Sequence, residues 1–259
     1  MLGNLPGGAE GKPLPGAVEL IARLHQMDAK LALFTNGSSL PPAGYAERLR
    51  GSGIAVDDNK FLTPASVAVH YLAEHHAGAP VLVIGGAGVS DPLVRSGIEI
   101  ASFDAHNKAT AVLIGWDLEF NHAKLEAACR AVWAGAELLV TSDSRTFAGR
   151  GGPQIGLAGA IAAGITHVTE VPAKVLGKPS RLAMNAVLKT LDVTAAELVV
   201  VGDDPCLEIK MGRDAGALTV RVMSGISAPR DAFHPDFVMQ DAAELLARLD
   251  EIIAAHDRR

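Results

Sequence analysis

Three acidic side chains follow an apolar run in the last third of the chain. Residues 198–201 are consecutive apolar residues, and Gly202 separates them from Asp203 and Asp204. An unbroken apolar run of this kind is typical of a strand buried on both faces in a parallel sheet. Glu208 begins the next helical pattern, so we expect it to reach back to the same strand end. Hard oxygen donors suit Mg²⁺, and we predict that Asp203, Asp204 and Glu208 bind it; a solvated acidic turn is the alternative.

The segment around Thr35 offers a second set of groups that could handle an anion. Thr35 and Asn36 follow the apolar residues 31–34, so a hydroxyl and an amide are expected at the carboxyl end of a strand. The backbone N–H groups of Gly37 and Ser38 could form an anion-binding concavity beside them. We therefore assign Asn36, Gly37 and Ser38 to substrate binding, although Thr-Asn-Gly-Ser is also ordinary turn chemistry.

A lysine supplies the third group. Lys178 lies in Gly177-Lys-Pro-Ser180, and Pro179 suits the first position of a helix, where backbone donors gather. This lysine could neutralise a phosphoryl oxygen or restrain a carboxylate; a surface lysine is the alternative. A hydroxyl at Thr35, a lysine and an acidic cation site, all at the ends of strands in one sheet, indicate a pocket for phosphoryl transfer.

Composition narrows the class of protein. Of the 259 residues, 49% are apolar but 4% are aromatic, so Ala, Val, Leu and Ile must build the interior. Lys and Arg total 23 against 29 Asp and Glu, which argues against a nucleic-acid platform with a basic face. No apolar run approaches the roughly 20 residues that span a bilayer, and the first residues lack the features of a signal peptide. Cys129 and Cys206 lie far apart in sequence, so we expect a soluble, cytoplasmic protein that uses neither a membrane nor nucleic acid.

The order of the elements predicts an α/β fold. Helical and strand patterns alternate along almost the whole chain, which is typical of βαβ units and a mostly parallel sheet. After Asp104 the pattern changes to a small α/β module, and at Lys174 the first pattern returns. We predict a Rossmann-like, doubly wound core of residues 1–104 and 174–259 with an inserted α/β cap domain of residues 105–173.

The motifs together resemble those of haloacid-dehalogenase superfamily phosphatases of subclass IIA, which contains NagD-like sugar phosphatases, 4-nitrophenyl phosphatases and phosphoglycolate phosphatases. The resemblance covers nearly the whole chain, through residues 11–17, 115–120, 134–136 and 156–160 and the motifs Phe34-Thr-Asn36, Val83-Ile-Gly85, Gly177-Lys-Pro179, Gly202-Asp-Asp204 and Asp214-Ala-Gly216. It implies Mg²⁺-dependent hydrolysis of a small phosphorylated metabolite. It also implies that Thr35 holds the phosphoryl group, that Lys178 steadies nucleophile and phosphate, and that Asp203 coordinates Mg²⁺.

One motif of these phosphatases is missing. They open with a buried strand that carries Asp-x-Asp-Gly; the first aspartate attacks phosphorus and the second acts as general acid and base. Counting back without gaps places Leu2 and Asn4 at these positions, and neither side chain can replace an aspartate. The first aspartate of the sequence is Asp28. We therefore expect the chain as given to be inactive, most simply because its natural start lies upstream.

Three alternatives stay open at the level of sequence. A catalytically silent module could bind a phosphorylated ligand or a partner through the same pocket. Gly85-Gly-Ala-Gly88 follows a strand as a dinucleotide-binding turn does, but GxGxxG starting at Gly86 would need glycine where the chain has Asp91. A homodimer through the cap is compatible with the sequence, which does not specify the oligomeric state.

Overall fold

The structure, a computed structural model, describes residues 13–149, 152–224 and 233–258. Parallel strands alternate with helices, which confirms the predicted α/β class. The strands are β1 (Leu33–Phe34), β2 (Phe61–Leu62), β3 (Val81–Ile84), β4 (Ile100–Ala101), β5 (Ala111–Ile114), β6 (Glu137–Val140), β7 (Thr146–Gly149), β8 (Gly152–Ile155), β9 (Lys174–Val175), β10 (Val199–Gly202), β11 (Leu218–Val222) and β12 (Phe237–Met239). The helices are α1 (Ala17–Gln26), α2 (Pro42–Gly51), α3 (Pro64–His75), α4 (Ala87–Arg95), α5 (His122–Trp133), α6 (Leu157–Thr169), α7 (Arg181–Leu191), α8 (Lys210–Ala215), α9 (Ala242–Ala247) and α10 (Leu249–His256). Shorter helical turns span Asp58–Lys60, Phe103–Lys108, Ala195–Glu197 and Pro205–Ile209.

The chain forms two compact units. The first unit comprises Met1–Thr35, Ala43–Leu62 and Met184–Arg259, and the second comprises Asn36–Pro42 and Thr63–Ala183. These units differ from the predicted core and cap, whose boundaries lay at residues 104 and 174.

The second unit is built on a five-stranded parallel sheet with the order β4-β3-β5-β6-β9. Strands β3 and β5 are buried along their whole length, as expected of strands covered by helices on both faces. We predicted β3, β4 and β9 in the core and β5 and β6 in the cap, yet all five pair in this one sheet. The reason is that an apolar run predicts a buried parallel strand but carries no information about which sheet the strand joins.

The first unit contains two separate parallel ladders. One pairs β1 with β2, and the other has the order β10-β11-β12. No strand among the described residues joins the two ladders. The positions of Leu2 and Asn4, where the sequence lacks the expected aspartates, lie outside the described residues.

Close helix packing in the first unit depends on two glycines. Gly16 has a φ of +75°, and a methyl group added there would lie 2.3 Å from the backbone nitrogen of Ala243, at the start of α9. A methyl group on Gly212 of α8 would lie 2.7 Å from Cγ2 of Thr219 and 3.0 Å from Cβ of Val200. Glycine therefore brings α1 against α9 and α8 against the β10-β11 ladder.

Two helices begin directly after a polar residue that caps their first turn. Asn121 accepts a hydrogen bond from the backbone N–H of Lys124 (3.1 Å) and starts α5. The carboxylate of Asp241 accepts the N–H groups of Ala243 and Glu244, both at 2.9 Å, and starts α9. The last helical segment is divided at Arg248 into α9 and α10. No described helix combines the length and the apolarity that crossing a bilayer requires.

A polar cluster joins α3 to the edge of the five-stranded sheet. Glu137, the first residue of β6, accepts the hydroxyl of Tyr71 at 2.9 Å, lies 2.9 Å from Nε2 of His76 and pairs with Lys174 of β9. Burial raises the pKa of the Glu137 carboxyl, but hydrogen bonds from Lys174, His76 and Tyr71 outweigh burial and leave the pKa below its ordinary value. The hydrogen bond to Glu137 is the main cause that raises the pKa of Lys174.

We predict that Glu137→Gln lowers the free energy of unfolding by about 1–2 kcal/mol near neutral pH. Because the folded pKa of Glu137 lies below the unfolded one, its contribution is present above the unfolded pKa. It is lost as the pH falls through the folded pKa. Urea denaturation at a series of pH values should therefore show that the advantage of the wild type over E137Q shrinks below about pH 4.3.

The matched control for this prediction is Glu126→Gln. Glu126 pairs with Arg130 on the exposed surface of α5, and an exposed pair contributes little to stability. A wild type and an E137Q variant of equal stability at pH 7 would contradict the prediction.

Candidate functional site

Residues 36–42 contact segments that follow two strands of the second unit's sheet. The hydroxyl of Ser38 accepts the backbone N–H of Trp116 (3.0 Å), just beyond β5. It also lies 3.4 Å from the hydroxyl of Thr141, directly after β6. Ser38 is buried, and these contacts fix the loop across the carboxyl end of the sheet. The side chain of Ser38 thus has an internal, structural use. Substrate binding by its backbone N–H, which the sequence suggested, stays a prediction.

Asn36 and Lys178 form a pair of hydrogen bonds. The amide nitrogen of Asn36 donates to the carbonyl of Lys178 at 2.9 Å, and the backbone N–H of Lys178 donates to Oδ1 of Asn36 at 2.8 Å. Both polar ends of the Asn36 side chain thus bind backbone, and its assignment to substrate binding stays a prediction. Lys178 itself is 2% exposed, so these bonds fix the backbone of a buried lysine.

The helix that follows Lys178 begins later than predicted. Pro179 was expected at its first position, but α7 begins at Arg181, and the Lys178–Pro179 peptide bond is cis. The hydroxyl of Ser180 accepts the N–H of Ala183 at 3.1 Å and so caps the helix.

Three glycines allow this close packing in the second unit. A methyl group on Gly177 would lie 2.3 Å from the carbonyl of Thr141 and 2.7 Å from Oδ1 of Asn36. One on Gly115 would lie 2.3 Å from Cγ2 of Val89. One on Gly88 would lie 2.3 Å from the Ser38 carbonyl, so the glycine-rich turn 85–88 packs against the chain's own loop. This packing gives the turn a use that requires no dinucleotide.

The predicted acidic residues lie at the carboxyl end of β10 in the first unit. Asp203 is buried directly after Gly202, and Glu208 is 1% exposed in the turn Pro205–Ile209. Oδ1 of Asp204 accepts the N–H of Cys206 at 2.8 Å, and Oε2 of Glu208 accepts the N–H of Asp204 at 3.2 Å. Thr35 follows β1 in the same unit, and its N–H donates to the carbonyl of Leu62 at 3.1 Å.

These carboxylates do not form the predicted three-ligand site. Within residues 13–149, 152–224 and 233–258, no group of three or more His, Cys, Asp and Glu side chains could hold a metal ion. Oδ1 of Asp204 and Oε2 of Glu208 each accept a backbone N–H of the turn, which orients these two carboxylates locally. The residues present therefore do not fit a cation held by Asp203, Asp204 and Glu208 together.

We expected Thr35, Lys178 and Asp203 at the ends of strands of one sheet, and the strands that the structure describes do not form that common sheet. Thr35 follows β1, Lys178 follows β9 and Asp203 follows β10, and these strands belong to three different sheets. Sequence reasoning did not predict the contact of Thr141 with Ser38 or the close approach of Gly177 to Asn36, which join residues far apart in the chain. A glycine directly before Lys178 was the available signal, since glycine marks places where backbones approach closely.

Two family models match the chain on either side of its centre. The model described as haloacid dehalogenase-like hydrolase matches residues 8–99, and a second, HAD-hydrolase-like model matches residues 175–245. The chain belongs to the family of haloacid dehalogenase-like hydrolases. The resemblance expected from the sequence motifs is thereby confirmed.

Similarity to known proteins extends over almost the full length of the chain. It is 28% identical over 240 residues to the sugar-phosphatase AraL of Bacillus subtilis (strain 168), covering 92% of this chain and 88% of AraL. Its fold is similar to that of a p-nitrophenyl phosphatase from Archaeoglobus fulgidus, with a TM-score of 0.87, 25% identity and coverage of 95% and 97%. It is similarly close to NagD from E. coli K-12, with a TM-score of 0.83, 25% identity and coverage of 94% and 96%.

We predict that Asn36→Ala in this hydrolase lowers the free energy of unfolding by about 1–3 kcal/mol, because it leaves two backbone groups of buried Lys178 without their partners. Asn36→Asp should lower the free energy of unfolding by less, because it keeps the acceptor for the Lys178 N–H. Thermal and urea unfolding measure both effects. Asn185→Ala, at an exposed position of α7, is the matched control, and equal losses in N36A and N185A would refute the assignment.

Proposed function

We propose that this hydrolase is a Mg²⁺-dependent phosphatase that acts on the phosphoric monoester of a small metabolite. The observation that carries the proposal is similarity to phosphatases along nearly the whole chain, including a sugar phosphatase. A phosphorylated sugar or a similarly small phosphorylated compound is therefore the substrate class that we propose.

Each retained motif receives one role in this proposal. Lys178 is a buried cation, and a cation in a site of low dielectric stabilises the negative charge of a phosphoryl group more strongly than it would in water. Thr35 offers a hydroxyl to a phosphoryl oxygen. Asp203 is the carboxylate that we propose for Mg²⁺, which is often held by one or two carboxylates plus water. Because the three-carboxylate set is not assembled, we assign no step to the cation.

A second candidate is a catalytically silent protein that binds a phosphorylated ligand. The observation that favours it is the lack of any aspartate before Asp28. Asp28 lies in the turn after α1, where its N–H donates to the carbonyl of His25 at 3.0 Å. The 259 residues thus supply no aspartate at the place where these phosphatases carry their nucleophile.

A phosphate-release assay with and without EDTA separates the two candidates. The substrates are p-nitrophenyl phosphate and glycerol 3-phosphate, and the variants are Lys178→Met and Asp203→Asn. For a phosphatase, Mg²⁺-dependent release should fall about 100-fold or more in both variants. The controls are Lys189→Met and Asp250→Asn, which make the same charge changes at exposed positions and should keep the wild-type rate.

Binding by the same proteins completes this test. If no variant releases phosphate, a silent binder should still show a thermal shift with glycerol 3-phosphate that K178M abolishes and K189M retains. The absence of both release and shift in the wild type would refute both candidates.

A chimaera examines the missing nucleophile directly. A strand ending in Asp-x-Asp-Gly, fused ahead of Gly11, should produce Mg²⁺-dependent phosphate release if the rest of the phosphatase machinery is intact. The same chimaera with its first aspartate changed to asparagine should release none, because the nucleophile is removed. A silent chimaera that folds and binds the ester would favour the binding protein.

A further inference from the structure

Arg221 is a buried arginine in the middle strand of the β10-β11-β12 ladder. It is 4% exposed, although its strand Leu218–Val222 is otherwise formed by apolar residues and Thr219. Arg221 pairs in register with Gly202 on one side and with Val238 on the other. In-register residues of parallel strands share a face of the sheet, and Gly202 precedes Asp203 directly. Arg221 therefore lies level with the carboxyl end of β10, the edge at which α/β sheets bind ligands.

The guanidinium has no partner among the residues that the structure describes. No described side chain or carbonyl accepts a hydrogen bond from it, and no described carboxylate lies within the 4.0 Å of an ion pair. Asp236, level with Thr219 two residues before Arg221, accepts the N–H and the hydroxyl of Thr219, both at 2.8 Å. A buried, unpaired charge destabilises a fold, so this arginine lowers stability unless a group beyond the described residues binds it.

The three nitrogens of Arg221 differ in their access to solvent. Nε is fully buried and has no hydrogen-bond partner. The two terminal nitrogens also lack described acceptors, yet they are not among the fully buried unsatisfied atoms, so they keep contact with solvent. Val238, beside Arg221 on the same face, is 49% exposed, which agrees with an opening at this row of the sheet. The side chain is thus held by its stem and presents its terminal N–H groups outward.

We propose that Arg221 binds the phosphoryl group of a phosphorylated ligand through these terminal N–H groups. The inference rests on the proposed function, because it deepens the recognition of a phosphoric monoester. A guanidinium offers paired donors in a planar fork that matches two oxygens of a phosphate, and such charge-assisted bonds are among the strongest in proteins. The buried part of the side chain also favours binding, because an already ordered side chain loses little conformational entropy when it binds a ligand.

Isothermal titration of the full chain with inorganic phosphate and, separately, with glycerol 3-phosphate tests this role. Each titration is matched in ionic strength with chloride. Arg221→Leu should weaken both affinities by at least about tenfold. Arg221→Lys keeps the charge but not the fork and should give an intermediate loss. The midpoint of thermal unfolding of ligand-free R221L should not fall, because an apolar side chain replaces an unpaired buried charge.

The matched control is Arg213→Leu. Arg213 lies on α8 of the same unit and donates to the carbonyl of His234 at 2.7 Å, so R213L makes the same change in net charge. It should leave both affinities unchanged. An equal loss in R213L, or a loss in R221L for glycerol 3-phosphate but not for inorganic phosphate, would overturn the inference.

Two further outcomes separate the inference from the proposed function. If the wild type binds phosphate or ester and R221L binds equally well, Arg221 has no role in binding and the proposed function stands. If the wild type binds neither compound, the proposed function fails and the inference fails with it. Should R221L not fold, R221K decides: wild-type affinity for both ligands in that variant would rule out recognition by the fork.

Discussion

The reciprocal hydrogen bonds between Asn36 and the backbone of Lys178 are the constraint on which the second unit's functional loops depend. They join two segments that are distant in the sequence, and they satisfy the N–H and the carbonyl of a residue that water does not reach. Gly177 makes the approach possible, since it brings the chain against Thr141 and Asn36 without a side chain of its own. The backbone that carries the buried ammonium of Lys178 is therefore held in place without any ligand.

In the first unit, the charged side chains near β10 are held by local backbone contacts. Asp204 and Glu208 are engaged by N–H groups of the turn after β10, so this turn organises its own carboxylates. Asp203 and Arg221 lie at the same end of the ladder, but Arg221 pairs with neither Asp203 nor Glu208. This small sheet therefore carries carboxylates at one strand end and, separately, a buried guanidinium. The carboxylates could bind a cation while the guanidinium binds an oxyanion.

Local sequence patterns identified the elements more reliably than their partners. The apolar run before Asp203 was correctly predicted to form a buried parallel strand. The sheet that each strand joins was not predictable, because β3 and β10 carry the same kind of apolar pattern. The internal contacts of Asn36 and Ser38 were not predictable for a related reason: their partners, Lys178, Trp116 and Thr141, are far away in sequence. Arg221 was not recognised from the sequence, because its lack of a described partner is visible only in three dimensions.

The three glycines under the loop of residues 36–42 have a consequence for how this protein can evolve. Single base changes convert a glycine codon to alanine, serine or aspartate, and at Gly88 and Gly177 each would press a side chain into main-chain atoms of another segment. Gly115 faces the same obstacle at Val89. At Gly51 and Gly164 an added methyl group meets nothing within 4 Å. Natural variants should therefore drift freely at these last two positions, whereas a change at the first three would have to be accompanied by a change in the segment that packs against them.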